Sequence, residues 1–412
     1  MRYLFFLIVL LLPHTLMAQA RTHLPYSIFG VGELNTKGFG RNMGMGNSGI
    51  AMSSGVYLNN QNPAAYHMLD SISFFFDFGL QGDFVTYKTT SATQRGKDFN
   101  LRNLALGFRI NRHWSAGVGI LPFSTVGYKI VSEGNVEGTT DLFTAELTGS
   151  GGLNQFYWDN SYRLLNNRLS LGINASYVFG NIESSENINY EKFTNDIIYK
   201  QTSRVNKVLL DFGFQYFLPV STNSRISIGG VFGNSHSMNF KQQINISESD
   251  GNVIENKITR TGIFNFPMYF GGGLSFTHAN KLTVNADYMF HDWSATISEK
   301  PGFNYKNTNT YRFGIEYIPG RVNQYGYLGS ISYRAGYYHE DSYMEIDNVS
   351  IADNGITLGV GLPFLKNKST INLAYKLGTK GSLKNGLIRE NYNSIVFNLS
   401  MHDWWFIKPK YD

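Results

Sequence analysis

The chain has 412 residues, no cysteine and a formal net charge of +5. The missing cysteines exclude disulfides and a lipidated cysteine anchor, and the scattered charge gives no indication of a nucleic-acid partner. Aromatic residues make up 15% of the chain, with 26 Tyr and 31 Phe. A soluble core has few places for so many tyrosines, whereas transmembrane β-barrels place them in girdles at both membrane interfaces. Composition therefore favours a membrane barrel over a soluble enzyme.

The first 20 residues have the pattern of a secretory signal peptide. After a basic start, residues 3–12 are apolar, and the small-residue site Ala18-Gln19-Ala20 follows. The apolar core is about ten residues long, too short for a membrane-spanning helix, which needs roughly 20. We expect residues 1–20 to be cleaved after Ala18 or Ala20 during export to the outer membrane of a Gram-negative-type envelope.

Residues 21–70 form a glycine-rich stretch without strand alternation, too long for a linker in a compact domain. This stretch is most simply placed inside a barrel, as a hatch or plug. Charged residues on the inward faces of the strands predicted below would then have partners in it. The alternative is a water-filled lumen, in which those charges are solvated. The inward-facing residues are Arg109, Asp211, Asp287, Arg312, Glu316, Arg334 and Lys376.

Residues 71–407 alternate between apolar and small or polar side chains, as the strands of a transmembrane β-barrel do. Tyr311, Phe313 and Ile315, for example, alternate with Arg312 and Glu316. The alternation predicts an all-β antiparallel barrel of about 14 strands, an even number that leaves both ends on the periplasmic side. The strands are predicted to start near Ser71, Leu101, His113, Asp141, Arg168, Ile197, Ser224, Val253, Lys281, Thr308, Tyr325, Gly355, Ser369 and Glu390. Residues 408–412 remain as a C-terminal tail.

The connections between these strands are predicted to alternate in length. Outer-membrane barrels have short periplasmic turns and longer outward loops. Short turns are predicted at residues 111–112, 166–167, 220–223, 278–280, 320–324 and 365–367, and longer loops at 180–195, 241–252, 299–307, 340–354 and 379–389. A soluble β-sandwich or solenoid would also alternate apolar and polar residues, but it has no reason for this rhythm.

Few motifs indicate chemistry, and each has a simpler structural explanation. The run at residues 44–49 fits the dinucleotide fingerprint, but it does not join a strand to a helix in a βαβ unit. Serine and histidine alternate at residues 234–237, where neighbouring side chains of a strand face opposite sides. The pairs His291-Asp292 and His402-Asp403 each precede a Trp near a strand end, which suits interfacial anchoring. We expect no catalytic residue, no metal and no cofactor.

Four blocks of the sequence are informative by their order along the chain: residues 40–46 with 62–64, 285–288 with 292–294, 311–317, and 334–338. In this order they resemble the FadL-like family of outer-membrane transporters for long-chain fatty acids and other hydrophobic compounds. The resemblance implies a fourteen-stranded barrel with an N-terminal hatch, and the hatch residues are then Gly44, Met45, Gly46, Asn62, Pro63 and Ala64.

The same resemblance implies a kink in the third strand that opens a lateral gap toward the membrane. Pro122 interrupts that strand, and proline cannot donate a hydrogen bond to a strand ladder. The alternatives are an ordinary bulge and a strand that has already left the membrane plane.

The leading hypothesis is passive uptake of hydrophobic compounds, such as long-chain fatty acids, through a shifting hatch. The partners are then outer-membrane lipid and hydrophobic small molecules, with no nucleic acid. The alternative is a structural or accessory barrel that partners a larger envelope machine for protein secretion or outer-membrane assembly. The long polar loops and the tail beyond the usual terminal aromatic residue suit that role.

Overall fold

The computed structural model describes residues 24–70, 73–136, 141–190, 195–259, 263–298, 301–320, 322–364 and 369–404. The predicted signal peptide, the turn at residues 365–367 and the tail at 408–412 lie outside these residues. Within the described ranges, fourteen antiparallel strands form one closed barrel, which confirms the predicted strand number. In chain order they are β1 (Ser73–Lys88), β2 (Thr93–Arg109), β3 (Trp114–Asn135), β4 (Leu142–Leu164), β5 (Leu169–Tyr190), β6 (Ile197–Ser221), β7 (Ser224–Gly233), β8 (Met268–His278), β9 (Leu282–Asp292), β10 (Thr308–Tyr317), β11 (Ser332–Ile346), β12 (Val349–Phe364), β13 (Ser369–Gly381) and β14 (Arg389–Trp404).

Each strand pairs with the next one along the chain, and the last strand pairs with the first. β1 and β14 are in register from Ser73 opposite Trp404 to Lys88 opposite Arg389. Closure therefore leaves neither the first nor the last strand of the barrel with a free edge.

The strands present an apolar outer face and a polar inner face. In β10, Tyr311, Phe313 and Ile315 are 42%, 49% and 44% exposed, whereas Arg312 and Glu316 are buried. Successive Cβ atoms of a strand point to opposite faces, so the period of two in the sequence becomes an inside and an outside. The exposed face of this strand is therefore the apolar one, which suits lipid.

The chain before β1 contains only short elements. They are a 3-10 turn at Pro25–Ile28, a short strand at Glu33–Leu34, the one-turn helix α1 at Gly40–Met43 and a 3-10 helix at Pro63–Met68. The short strand pairs with β3 toward its long-loop end, where Glu33 lies opposite Thr125 and Leu34 opposite Ser124. This part of the chain therefore adds a small piece to the barrel wall.

The strand predicted to start at Val253 is not a barrel strand. Val253–Thr259 forms a hairpin with Lys241–Glu248. Lys241–Glu248 in turn pairs with residues 197–204, at the long-loop end of β6. The barrel strand in this region is β8, which begins at Met268. Alternation cannot distinguish a membrane-crossing strand from a strand in an outer loop, because both have a period of two.

The predicted start of the eleventh strand, near Tyr325, is also wrong. The helix α2 spans Val322–Ser330, and β11 begins at Ser332. The connection from β10 to β11 therefore covers residues 318–331 and is not a short turn. Aromatic residues favour strands, but a segment without a neighbouring strand satisfies its backbone through local helical hydrogen bonds. In the described ranges, no helix is long and apolar enough to cross a membrane.

The outward loop predicted at residues 340–354 is instead a continuous hairpin. β11 and β12 are joined by the two-residue turn Asp347-Asn348, whose φ angles are 47° and 61°. Two central residues with positive φ define the type I′ turn, whose twist matches that of paired strands, and Asp and Asn tolerate this conformation. The acidic and amide side chains of this segment suggested a loop, although its apolar residues Tyr343, Met344 and Ile351 are buried.

An apolar cluster forms on the long-loop side of the barrel. It joins Tyr26 and Val31 of the N-terminal chain to side chains from the loops and upper strand ends, which include Met238, Phe264, Trp293, Phe303, Tyr343, Met344 and Ile351. The rings of Trp293 and Tyr343 stack with their centroids 4.7 Å apart. The loops are thereby held together by burial of apolar area.

Candidate functional site

Residues 24–70, here called the N-terminal segment, lie inside the barrel apart from the short strand Glu33–Leu34, and they form hydrogen bonds with the inner wall. The backbone N–H groups of Gly49 and Ile50 donate to Asp287 Oδ2 at 2.5 and 3.0 Å. The N–H of Gly46 donates to Thr357 Oγ1 at 2.8 Å. A buried irregular segment must find partners for its backbone groups, and the inward side chains of β9 and β12 supply them here.

The predicted hatch residues Asn62, Pro63 and Ala64 lie against the opposite wall. Asn62 Oδ1 accepts from the N–H of Ala64 at 2.9 Å and so caps the 3-10 helix that Pro63 opens. Asn62 Nδ2 donates to the carbonyl oxygen of Phe214 at 3.0 Å, and Ser161 Oγ donates to the carbonyl oxygen of Ala64 at 3.0 Å. These contacts tie the end of the segment to β4 and β6.

The predicted residues Gly44, Met45 and Gly46 lie against β11, where glycine allows a close approach. Met45 is fully buried, and Gly46 has a φ of +63°. A Cβ atom added at Gly336 would lie 2.0 Å from the backbone nitrogen of Gly46. Any larger residue at Gly336 would therefore push the N-terminal segment away from the wall.

The N-terminal segment is also held by a buried ionic triad. Arg41 Nη2 and Nε donate to Glu316 Oε1 and Oε2 at 2.6 and 3.0 Å, and Arg334 Nε donates to Oε2 of the same carboxylate at 2.7 Å. The side chains of Arg41, Glu316 and Arg334 are 11%, 2% and 0% exposed. Arg334 Nη1 also donates to Asn372 Oδ1 at 2.8 Å. One carboxylate thus joins α1 to two barrel strands, with bidentate geometry on the Arg41 side.

Two further predicted lumen residues contact the N-terminal segment. Asp211 pairs with Lys37, with Lys37 Nζ 2.8 Å from Oδ2. Arg109 lies at the short-turn end of β2, where its Nη1 donates to the carbonyl oxygen of Leu69 at 3.5 Å. Sequence reasoning missed Lys37 and Arg41, although they are the only Lys and Arg between residues 24 and 70. Basic residues in a segment expected to pair with inward-facing charges, which include Asp211 and Glu316, are the signal that could have found them.

A cavity of about 350 Å³ lies on the long-loop side of the N-terminal segment. The predicted residue Arg312 lines it and pairs with Glu340, with Nη2 3.2 Å from Oε2. Lys376 also lines it, 3.6 Å from Asp353 Oδ2 and 4.3 Å from the ring centroid of Tyr338. Apolar lining comes from Leu24, Leu34, Met43, Ile50, Phe123, Leu209, Phe266, Tyr269, Met289, Trp293, Tyr343 and Met344. The cavity combines aromatic surface with charged groups, several of which form ion pairs.

The barrel wall has a break next to this cavity. The ladder between β2 and β3 runs from Arg109 opposite Ser115 only as far as Leu104 opposite Ile120. Beyond that point β3 pairs with the short strand of the N-terminal segment, and its register with β4 shifts between Pro122 and Ser124. Pro122 therefore lies at a bulge, as proline in a sheet usually does.

A second cavity of about 50 Å³ lies at the break and is lined by Leu121 and Pro122. It shares Asn35, Thr36, Gln81 and Arg102 with the larger cavity. Arg102 Nη2 of β2 donates to the carbonyl oxygen of Thr36 at 3.2 Å and so reaches across the break to the N-terminal segment. The lumenal cavity and the break are thus separated by a thin layer of side chains.

The motifs weighed for catalysis and cofactor binding lie in structural surroundings. Residues 44–49 follow the single turn of α1, not a strand. His236 Nδ1 contacts the carbonyl oxygen of Asn234 at 2.7 Å. In the described ranges, no group of three or more His, Asp or Glu side chains could hold a metal ion.

The closed fourteen-stranded wall and the N-terminal segment inside it define an outer-membrane β-barrel with the FadL-like fold. Solved structures with this fold match nearly the whole chain. A family model described as BamG matches residues 1–412, so the chain belongs to the BamG family. A comparison with curated protein sequences gave no match.

Three of the similar structures illustrate the likeness. The toluene transporter TbuX of Ralstonia pickettii has a TM-score of 0.59 and 16% identity, over 89% of this chain and 99% of TbuX. The Pseudomonas aeruginosa FadL homologue has a TM-score of 0.61 and 12% identity, over 90% and 99% of the two chains. The P. putida toluene transporter TodX has a TM-score of 0.54 and 15% identity, over 91% and 100%. The resemblance found in the sequence is confirmed for the fold.

Proposed function

We propose that this protein lets hydrophobic small molecules cross the outer membrane, with the N-terminal segment acting as a hatch. The observation that carries the proposal is the end of the β2–β3 ladder beside the lumenal cavity. A compound caught among the aromatic residues of the upper lumen would reach the break after a small displacement of Thr36 and Arg102. The toluene transporters TbuX and TodX share this fold, which supports the proposal.

The charges of the cavity favour uncharged compounds over fatty-acid anions. Among the described lining residues are eight carboxylates (Glu33, Asp83, Asp98, Asp211, Glu340, Asp341, Asp353 and Glu390) and five cationic groups (Lys37, Arg102, Arg312, Lys376 and Lys380). A site lined by an excess of negative charge repels an anionic head group. We therefore place neutral aromatic or aliphatic compounds before long-chain fatty acids.

A reversible lock across the break tests this route. The N–H of Asn35 donates to the carbonyl oxygen of Phe123, so the neighbouring pair Leu34 and Ser124 is a non-hydrogen-bonded one. The Cα atoms of such a pair are about 4.5 Å apart, a distance that a disulfide can span. In this cysteine-free chain, the double variant Leu34→Cys/Ser124→Cys should form one disulfide. We expect uptake of radiolabelled toluene by cells carrying the oxidised variant to fall at least tenfold and to recover after reduction.

The single variants Leu34→Cys and Ser124→Cys are the matched controls, because an oxidant cannot join the N-terminal segment to β3 in either. Both should take up toluene at the unmodified rate with and without oxidant. Equal uptake by the oxidised and reduced double variant would contradict a route at the break. Uptake no faster than in cells lacking the protein would contradict transport altogether.

One observation favours the second candidate, an accessory barrel that partners a larger envelope assembly. In the described part of the chain, Val253–Thr259 pairs only with Lys241–Glu248 and leaves its other edge open. Val253, Ile254 and Ile258 on this edge strand are 55%, 55% and 74% exposed. An exposed apolar edge strand is a template for strand addition by another chain.

Affinity isolation from native membranes separates the two candidates. The accessory role predicts that a larger assembly co-purifies with the unmodified chain and is lost in Ile258→Lys, because a charged side chain blocks edge pairing. Ile130→Lys, at a residue of β3 that is 38% exposed, is the control for added charge. Stable co-purification without any uptake defect on deletion would contradict the transporter proposal, and the absence of a co-purifying assembly would contradict the accessory one.

A further inference from the structure

Three arginines surround the short-turn end of the lumen without a carboxylate partner. Arg109 ends β2, Arg163 is near the end of β4, and Arg225 is near the start of β7. Each is partly exposed. In the described ranges, none of the three forms an ion pair. Elsewhere in the lumen, by contrast, cationic groups such as Arg41 and Lys37 do meet carboxylates.

The last turn of the N-terminal segment brings these arginines together. Arg163 Nη2 donates to the carbonyl oxygen of His67, and Arg109 Nη1 donates to that of Leu69, two residues further on. Arg225 contacts the ring of Phe217, with its Cζ atom 5.6 Å from the ring centroid. The ring of His67 lies against the same phenylalanine at a centroid distance of 4.7 Å. The three guanidinium groups therefore share one small region around residues 67–69.

The positive potential of this region acts on His67, which is 1% exposed. Burial, together with the charges of the three arginines, lowers the pKa of His67 to about 3. His67 is thus neutral at physiological pH and adds no further positive charge. Carbonyl oxygens satisfy part of the donor capacity of Arg109 and Arg163, but they cannot compensate charge. The guanidinium group of Arg225 makes no hydrogen bond within the ranges that the structure describes.

We propose that Arg109, Arg163 and Arg225 form a binding site for one carboxylate or phosphate group at the short-turn end of the barrel. Planar guanidinium groups match the oxygens of both anions in bidentate geometry. In an outer-membrane barrel the short turns face the periplasm, so the site is open to that compartment. The anion can be a free ion or the head group of an amphiphile. The site does not depend on the proposed uptake, because it lies on the opposite side of the N-terminal segment from the lumenal cavity.

Equilibrium dialysis of the full chain in a non-ionic detergent, at low salt, tests the proposal with radiolabelled inorganic phosphate and acetate. We expect saturable binding of one anion per chain. Arg225→Gln should weaken it at least fivefold and Arg163→Gln/Arg225→Gln at least twentyfold. Arg225→Gln removes the charge without breaking a hydrogen bond to a described residue, which protects folding. Arg168→Gln, at an exposed arginine on the same rim, is the matched control and should bind like the unmodified chain.

A parallel measurement with dodecanoate, and with dodecanol as its uncharged control, identifies the source of the anion. Dodecanoate binding that is much tighter than acetate binding, and that is lost in the double variant, supports the site with an amphiphile head group as its ligand. Equal affinities for dodecanoate and acetate support it with a free anion. No saturable binding of phosphate, acetate or dodecanoate overturns the proposal, as does equal binding by the unmodified chain and a double variant that runs as a folded barrel. None of these outcomes bears on toluene uptake through the break.

Discussion

Replacing Glu316 by Gln is expected to destabilise the protein by about 3–5 kcal/mol and to loosen its N-terminal segment. The substitution removes the one carboxylate between Arg41 and Arg334, and it leaves two almost fully buried guanidinium groups without a counter-charge. The cost of an uncompensated buried charge exceeds the loss of the hydrogen bonds themselves. Urea unfolding in detergent, followed by the mobility of the folded barrel on a gel, measures the loss. Limited proteolysis between residues 24 and 70 reports the loosening.

The matched control is Glu146→Gln on the long-loop side. Glu146 pairs with Lys129 at 2.7 Å, but these side chains are 39% and 52% exposed. A pair so open to water contributes about 1 kcal/mol or less. The same chemical change should therefore leave the unfolding midpoint nearly unchanged. Equal midpoints for Glu316→Gln and Glu146→Gln would show that the triad does not hold the N-terminal segment in place.

Replacing Phe397 by Arg is expected to reduce the yield of assembled barrel at least tenfold. Phe397 lies near the middle of β14, 36% exposed, opposite Leu80 of β1 and Leu373 of β13 on the outer face. A charge facing lipid at the bilayer midplane costs roughly 2–4 kcal/mol, and each 1.4 kcal/mol is a factor of ten in an equilibrium. Quantification of the folded form in outer-membrane fractions, by its gel mobility before and after heating, provides the measurement.

Lys376→Ala is the contrasting change on the inner face of the neighbouring strand. It removes an ion pair with Asp353 and a contact with the ring of Tyr338, but it places no charge in lipid. Its yield should stay within about twofold of the unmodified chain, because a partly exposed ion pair contributes about 1 kcal/mol or less. Similar yields for Phe397→Arg and Lys376→Ala would contradict the assignment of outer and inner faces.

Predictions from the sequence failed mostly where strands leave the membrane. The barrel region was found because lipid outside and polar groups inside impose a period of two on every crossing strand. Above the membrane no lipid requires a strand to keep an apolar outer face, so residues 340–354 have the polar composition of a loop although they form a hairpin whose Tyr343, Met344 and Ile351 are buried. The segment starting at Val253 kept the alternation without being part of the wall. Strand number is thus a more robust prediction than strand boundaries.

The sequence by itself determined the fold class and the number of strands, because both follow from a short-range pattern. The same pattern predicts the inward charges Asp211, Asp287, Glu316 and Arg334 from their alternation with apolar neighbours.

Only the tertiary structure decided which of these charges meet. Lys37 and Asp211 are 174 residues apart in sequence, and Arg41 and Glu316 are 275 apart. The partners of Asp287 are backbone N–H groups, which carry no signal in the sequence. The N-terminal segment has no periodic pattern, so its path through the lumen depends on contacts with many strands at once. Those contacts exist only once the barrel has closed around it.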